Sequence, residues 1–146
     1  MHNSSLFDET TFYKQFSKDL RSCKTEVIIE SPFITSDRMA TLYPIFEKLI
    51  QRKVNVYVIT RDPSEHSDVY KKQSEAEIQR FESLGVQVFI CLGNHHRKLA
   101  ILDRKILWEG SLNILSQMKS REIMRRIEKK ETAGEMFRFL KLKRFI

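Results

Sequence analysis

Apolar residues recur at helical and strand spacing along most of the chain and predict alternating helices and strands. A first amphipathic helix is predicted over residues 8–24, where four apolar positions share one face: Phe12, Phe16, Leu20 and Cys23. The continuous apolar run at 27–29 then predicts a strand buried on both faces, which ends before Pro32. A second helix is predicted at 42–50, where apolar residues form one stripe, and a second strand at 54–63.

The second half of the chain continues this pattern with shorter strands. Capping boxes predict where two more helices begin, one at Ser74 and Glu77 and one at Thr132 and Glu135. A short polar helix is also predicted at 115–119. Four further strands are predicted, at 86–92, 98–103, 106–109 and 122–127.

This order of elements predicts an α/β fold. We expect a mixed, mostly parallel β-sheet sandwiched by helices on both faces. With 146 residues the chain is long enough to bury a core, and it shows no internal repeat, low-complexity tract or linker. The sequence therefore predicts a single domain over residues 1–146, which could also be one piece of a longer polypeptide.

The charge balance favours polyanionic partners. Lysine and arginine outnumber aspartate and glutamate by 26 to 19, which gives a net charge of +7. Nucleic acid is the first partner that this excess suggests, and an anionic membrane surface is the second. Two basic stretches, at 119–130 and 138–145, could line a groove for a nucleic-acid backbone, or could be solvated faces.

The apolar runs and the cysteines bear on the compartment. No run approaches the roughly 20 apolar residues that cross a bilayer, and the N-terminal stretch has no apolar core of signal-peptide length. We therefore expect a cytoplasmic protein without stable membrane association. Cys23 and Cys91 are too few for a disulfide framework or a four-ligand zinc site, and are expected to be small buried thiols.

The stretch NHHRKLAILDRKILWEGSLN, residues 94–113, concentrates polar groups between apolar runs. On a strand, His96 and Lys98 would share one face, and Ser111 and Asn113 share a parity just past the next strand, so a hairpin can bring both pairs together. The imidazole could serve as nucleophile or acid, the ammonium supplies positive charge, and the hydroxyl and amide supply neutral donors. These groups predict a phosphate-handling site.

The spacing of these residues resembles the H-x-K-x4-D and G-S-x-N signature of the phospholipase D superfamily, and the single-motif, nuclease-like branch in particular. The matching residues are His96, Lys98, Asp103, Gly110, Ser111 and Asn113. Glu122, in an S-x-E pattern, is similar to the family glutamate that orients the histidine ring. The resemblance implies a phospholipase D-like α-β-α fold and phosphodiester hydrolysis through a phosphohistidine, without metal or cofactor.

The resemblance also implies a role for each motif residue. His96 would be nucleophile or acid, and Lys98 and Asn113 would hold the non-bridging oxygens of the phosphate. Ser111 would support them. Asp103 would anchor the hairpin or the ring geometry rather than touch the substrate.

One motif supplies one histidine, whereas the chemistry requires two. In-line displacement at phosphorus places the attacking and leaving groups on opposite sides, so a second histidine must protonate the leaving oxygen. His2, His66 and His95 are expected to be surface residues. A homodimer whose two-fold axis passes through the site would supply a second His96, and the resemblance implies this arrangement.

Three hypotheses for the function follow. The leading one is a phosphodiesterase that cleaves DNA or RNA with little sequence preference. The second is a phospholipid diesterase with the same chemistry. The third is a non-catalytic nucleic-acid-binding module, fused to or associated with a helicase or other ATPase. Trp108 is expected in the core rather than as a platform for base stacking.

Overall fold

The structure is a computed structural model that describes residues 3–116 and 119–146. Over these residues the chain forms seven strands: β1 Ser4–Asp8, β2 Glu26–Glu30, β3 Asn55–Arg61, β4 Gln87–Cys91, β5 Leu99–Leu102, β6 Ile106–Gly110 and β7 Ile123–Glu128. The α-helices are α1 Phe12–Arg21, α2 Ser36–Gln51, α3 Asp68–Leu84 and α4 Lys130–Phe139, and single 3-10 turns lie at Pro63–Glu65 and Leu142–Arg144.

The strands form one mixed sheet in the order β1-β7-β6-β5-β2-β3-β4. Parallel pairing joins β2 to β3 and β3 to β4, where helices connect successive strands. The other pairs are antiparallel, because a tight turn joins β5 to β6 and β1 returns along β7. The predicted mixed sheet is confirmed, but the prediction that it is mostly parallel is wrong, since two of the described strand pairs are parallel and four are antiparallel.

Strand β1 and the start of helix α3 differ from the predictions. Strand β1 was not predicted, because its five residues at the sheet edge carry too little apolar pattern. Helix α3 begins at Asp68 rather than at Ser74, since Ser74 is buried and the Glu77 carboxylate accepts a hydrogen bond from the Tyr43 hydroxyl instead of capping the helix.

The last helix also starts before its predicted capping box. Helix α4 begins at Lys130, so Thr132 and Glu135 lie within it, and Lys129 is the N-cap residue. The predicted polar helix at 115–119 includes residues 117 and 118, which lie outside the described residues.

The sheet buries a separate core on each face. In β2, Val27 and Ile29 point into the larger core, which includes side chains of α1, α2 and α3, and Ile28 points into the smaller core under α4. The predictions of a strand buried on both faces and of helices on both faces are therefore confirmed. Trp108 is fully buried in the larger core, as predicted.

A buried carboxylate links helix α1 to the antiparallel half of the sheet. Asp19 accepts hydrogen bonds from the indole nitrogen of Trp108 at 2.9 Å and from Gln15 at 2.9 Å. Arg126 of β7 holds both carboxylate oxygens, at 2.7 and 3.0 Å. A buried charge is tolerated in a core only when it is paired and hydrogen-bonded in this way.

Replacing Asp19 with alanine is expected to destabilise the fold by about 3–5 kcal/mol, because the substitution leaves the Arg126 guanidinium and the Trp108 N–H without their buried partner. Urea unfolding followed by circular dichroism measures the change. Glu128→Ala is the matched control, since Glu128 pairs with the same arginine but is exposed, and it should cost less than about 1 kcal/mol. Equal losses in the two variants would contradict the buried role of Asp19.

Candidate active site at one edge of the sheet

The sheet topology brings His96, Lys98, Ser111 and Asn113 to one end of the central strands, which we call the motif edge. Strands β2, β3 and β4 run parallel and end there, and β5 begins there because it is antiparallel to β2. Strand β6 ends and β7 begins at the same edge. The ends of parallel strands are a frequent location of binding sites in α/β folds.

His96 and Lys98 lie in the loop between β4 and β5, not on a strand as the sequence suggested. The His96 ring is exposed, and its Nε2 is 3.1 Å from Oδ1 of Asn94. The Lys98 ammonium donates a hydrogen bond of 3.0 Å to the carbonyl oxygen of His96. The lysine therefore lies beside the histidine through a loop contact rather than through strand alternation.

Gly110 and Ser111 lie at the same edge, where the end of β6 pairs with the start of β7. A Cβ on Gly110 would lie 2.1 Å from the carbonyl oxygen of Ile123, so a larger residue would separate β6 from β7. The Ser111 hydroxyl accepts a hydrogen bond of 3.0 Å from the Ile123 amide, and the Ser111 amide donates one to the Ile123 carbonyl. Close strand approach thus explains the G-S pair of the motif.

Asn113 follows β6 in a segment that helix α1 supports. The Tyr13 hydroxyl donates a hydrogen bond of 2.7 Å to the Ile114 carbonyl, and burial raises the pKa of Tyr13 to about 12. The Arg38 guanidinium lies 3.5 Å from the centre of the Tyr13 ring. Asn113, Arg38 and Glu122 line one small polar cavity beside this segment.

Glu122 lies just before β7, and its hydrogen-bond partners differ from those of His96. Its carboxylate accepts a hydrogen bond of 3.0 Å from the Ser120 hydroxyl, and its amide donates to Glu9 at 2.8 Å. Within the described chain, His96 is hydrogen-bonded to Asn94 instead. Orientation of the His96 ring by Glu122 therefore stays a prediction.

Asp103 lies at the far end of β5, away from the motif edge. Its Oδ1 accepts hydrogen bonds from the amide and hydroxyl of Thr25 at 2.9 Å each and from the Glu26 amide at 3.0 Å. Its Oδ2 accepts one from the Lys24 amide at 2.9 Å. The carboxylate thus ties the β5–β6 hairpin to the start of β2.

We expect Asp103→Asn to lower the stability by about 2 kcal/mol at pH 7. Burial alone would raise the pKa of Asp103, but hydrogen bonds from Glu26, Thr25 and Lys24 outweigh it and hold the pKa below its usual range. The carboxylate therefore stabilises the fold above the unfolded-state pKa of about 4, and this contribution is lost as the pH falls through the folded-state pKa. Urea unfolding at several pH values should show the two proteins converging in acid, and a constant difference would contradict it.

His95 is not a surface residue, contrary to the prediction. Its side chain is only 12% exposed, and its Nε2 lies 2.6 Å from Oε1 of Glu30. Glu30 ends β2, is fully buried, and its Oε2 has no hydrogen-bond partner among the described residues. This pair fixes the loop one residue before His96, and the only sequence sign of it was a glutamate at the end of an apolar strand.

His66 and Glu65 hold the same region from the segment between β3 and α3. The predicted surface position of His66 is also wrong, because its ring is half-buried, stacks on Phe33 and has its Nε2 3.1 Å from the Pro32 carbonyl oxygen. The Glu65 carboxylate accepts hydrogen bonds from the amides of Gly93 and Asn94 at 3.0 and 3.2 Å. His2 lies outside the described residues.

An open groove of about 780 Å³ runs beside the motif edge. Lys98 and Ser111 line it, so two of the motif side chains face the groove. Three arginines line it as well, at Arg97, Arg121 and Arg125. A concave surface with four cations is suited to an anionic ligand.

Solved structures that share this fold with the chain include the three that follow, and at their identities they establish the fold alone. Nuc, a phospholipase D family member from Salmonella typhimurium, has 18% identity and a TM-score of 0.72, covering 93% of this chain and 91% of Nuc. NucT from Helicobacter pylori has 20% identity and a TM-score of 0.66, with the same coverage. Phosphatidylserine synthase from Haemophilus influenzae has 14% identity and a TM-score of 0.67, covering 93% of this chain and 38% of the synthase. A search of curated proteins found no match.

A family model that matches residues 16–141 identifies the chain as a domain of the phospholipase D superfamily, a class of phosphodiesterase-type enzymes. Within that superfamily, the chain belongs to the family described as cardiolipin synthase, PLD-like domain, which matches residues 16–141. In the parts of the chain that the structure describes, no helix is both long enough and apolar enough to cross a bilayer.

Proposed function

We propose that the protein is a metal-independent phosphodiesterase that hydrolyses the backbone of DNA or RNA at a site shared by two copies of the chain. The observation that carries this proposal is the groove at the motif edge. Lys98 lines it beside three arginines, and its ammonium is hydrogen-bonded to the backbone of His96. A fixed ammonium can stabilise the negative charge of a phosphoryl transition state, as a metal ion does in other enzymes.

The proposed reaction has two steps. First, Nε2 of His96 attacks phosphorus, the bond from phosphorus to the leaving oxygen breaks, and the partner subunit's His96 gives that oxygen its proton. Water then attacks the phosphohistidine and gives a proton to the partner subunit's His96, which releases a phosphomonoester and restores both rings. Lys98 and Asn113 would bind the non-bridging oxygens in both steps.

Exposed apolar side chains beside the groove support the dimer. Leu6, Ile123 and Phe139 are 61%, 64% and 80% exposed, and all three line the same groove as Lys98 and Ser111. An apolar cluster of this kind is typical of a protein interface. A second copy that covered it around a two-fold axis would bring its own motif edge towards the first.

The distribution of cations supports a nucleic-acid substrate. Arg125 points to the groove from β7, whereas the next residue, Arg126, is turned to the buried Asp19. The basic stretch at 119–130 is therefore divided between the groove and the core, and its groove-facing arginines could follow a phosphate backbone. We also propose a cytoplasmic location, a reducing compartment in which the free thiols of Cys23 and Cys91 would stay unpaired.

A cleavage assay tests the proposal. End-labelled single-stranded and double-stranded DNA and RNA would be incubated with the protein in excess chelator, and acid-free denaturation would trap a phosphorylated protein. We expect cleavage of at least one nucleic acid and a phosphohistidine on His96. Tight binding without cleavage or phosphohistidine would instead support the non-catalytic module, fused to or associated with a helicase or ATPase.

A phospholipid diesterase is the second candidate, and two findings favour it. The matching family is described as cardiolipin synthase, PLD-like domain, and phosphatidylserine synthase from Haemophilus influenzae shares the fold. The same groove chemistry could hold a lipid phosphodiester. Release of headgroup from cardiolipin or phosphatidylcholine vesicles, with all nucleic acids left intact, would decide for this candidate.

A further inference from the structure

A cluster of aromatic rings lies beside His96 and is not explained by the phosphate chemistry. Phe33 stacks on His66 with ring centres 4.8 Å apart, and Tyr70 meets the edge of Phe33 at 5.5 Å. The His96 ring lies 6.5 Å from the same Phe33 ring. Phe33 therefore connects the proposed nucleophile to two further rings.

These rings are not part of the packing that holds the fold together. In the described part of the chain, neither of the two hydrophobic cores includes Phe33 or Tyr70. Tyr70 lies in the first turn of α3 and is 36% exposed, and its neighbour Val69 is 72% exposed. Tyr70 contacts Phe33, which contacts His96, and a surface tyrosine in such a position can present a ring face or edge to a bound ligand.

A contact between His66 and the main chain holds the aromatic cluster in place. His66 Nε2 lies 3.1 Å from the Pro32 carbonyl oxygen, which fixes the imidazole under Phe33. Burial lowers the pKa of His66, which favours the uncharged form of the ring that stacks on Phe33. The rings therefore form a surface that is ordered before a ligand binds, and this reduces the entropy cost of binding.

The chemistry of the surrounding surface identifies the ligand class. Lys71 and Lys72 follow Tyr70 in α3 and are exposed, so the first two turns of this helix carry two cations at the surface. Proteins bind single-stranded nucleic acid through aromatic rings that stack on the bases and a positively charged surface that follows the phosphates. A base in an intact duplex is paired and stacked on its neighbours, and cannot reach such a ring.

We propose that Tyr70, supported by Phe33 and His66, is a stacking site for an unpaired nucleobase next to the phosphodiester bound at His96. This inference rests on the proposed nucleic-acid substrate, and it assigns a preference for single strands over duplexes.

Binding to a cleavage-deficient background tests the stacking site directly. In the His96→Ala protein, a single-stranded oligonucleotide carrying 2-aminopurine reports stacking through its fluorescence. Tyr70→Ala is expected to weaken single-strand binding about tenfold and to change duplex binding less than about twofold. Tyr70→Phe keeps the ring and should retain binding, and Val69→Ala is the matched control on the same exposed turn.

Cleavage by the protein with an intact His96 separates the two proposals. Tyr70→Ala should lower kcat/KM about tenfold on a single strand but less than about twofold on the same strand made with abasic nucleotides. If single strands are cleaved and Tyr70→Ala behaves like Val69→Ala, the stacking site is refuted and the proposed function stands. If no nucleic acid is cleaved or bound, the proposed function fails and this inference is overturned with it.

Discussion

Replacing His96 with alanine is expected to lower phosphodiester cleavage by at least about a thousandfold. The substitution removes both the attacking nitrogen of one subunit and the proton donor of the other, because each copy would supply one ring to a shared site. Initial rates on a labelled oligonucleotide in excess chelator measure the loss. Circular dichroism and thermal melting should match the unsubstituted protein, since the His96 ring is exposed and carries no core packing.

The neighbouring histidine provides the control. His95→Asn removes an imidazole one residue away, and the imidazole is paired with the buried Glu30 rather than facing solvent. We expect a loss of about tenfold, through the position of the loop, and continued formation of the phosphohistidine. Activity that survives His96→Ala, or that depends equally on both histidines, would contradict the assignment of His96 as nucleophile.

Placing a charge in the apolar cluster beside the groove is expected to lower activity strongly without changing a motif residue. If the proposed dimer forms through this cluster, Phe139→Glu should leave the 17.4 kDa monomer and reduce cleavage by about a hundredfold, because the exposed Phe139 lines the groove and a buried carboxylate would oppose association. Sedimentation velocity and initial rates measure both changes. Ala76→Glu, on the exposed face of α3, is the matched control and should alter neither.

Mixing subunits separates a shared site from two independent ones. When wild-type and His96→Ala chains are co-expressed in equal amounts and pair at random, about one quarter of the dimers hold two His96 rings. A shared site therefore predicts about one quarter of the wild-type activity, whereas independent sites predict about one half. An active protein that sediments as a monomer would also refute the dimer.

The chemistry of the motif was accessible from the sequence because it depends on residue types at fixed spacing. His96, Lys98, Ser111 and Asn113 were identified from a pattern within 20 residues, and the structure places all four at one edge of the sheet. Their detailed geometry was not accessible. Lys98 lies in a loop and is hydrogen-bonded to the His96 backbone, because the strand begins one residue later than the apolar pattern suggested.

The parts of the site that the sequence missed are contacts between distant segments. The Glu30–His95 pair joins the end of β2 to the loop after β4. The cluster of Phe33, His66 and Tyr70 joins the connection after β2 to the connection after β3 and the first turn of α3. No periodicity or spacing marks such contacts, since each partner looks ordinary in its own segment. His66 and His95 were therefore taken for surface residues.

The sequence by itself determined the class of fold, the family motif and the residue types that can handle a phosphate, because hydrophobic periodicity and motif spacing are local properties. Only the tertiary structure decided the sheet order, the added outer strand β1, the buried carboxylates of Asp19 and Glu30, and the contact between the rings of Phe33 and His96. These features depend on which distant segments pack together. The local pattern of apolar residues does not distinguish between the possible pairings of these segments, and tertiary packing selects one of them.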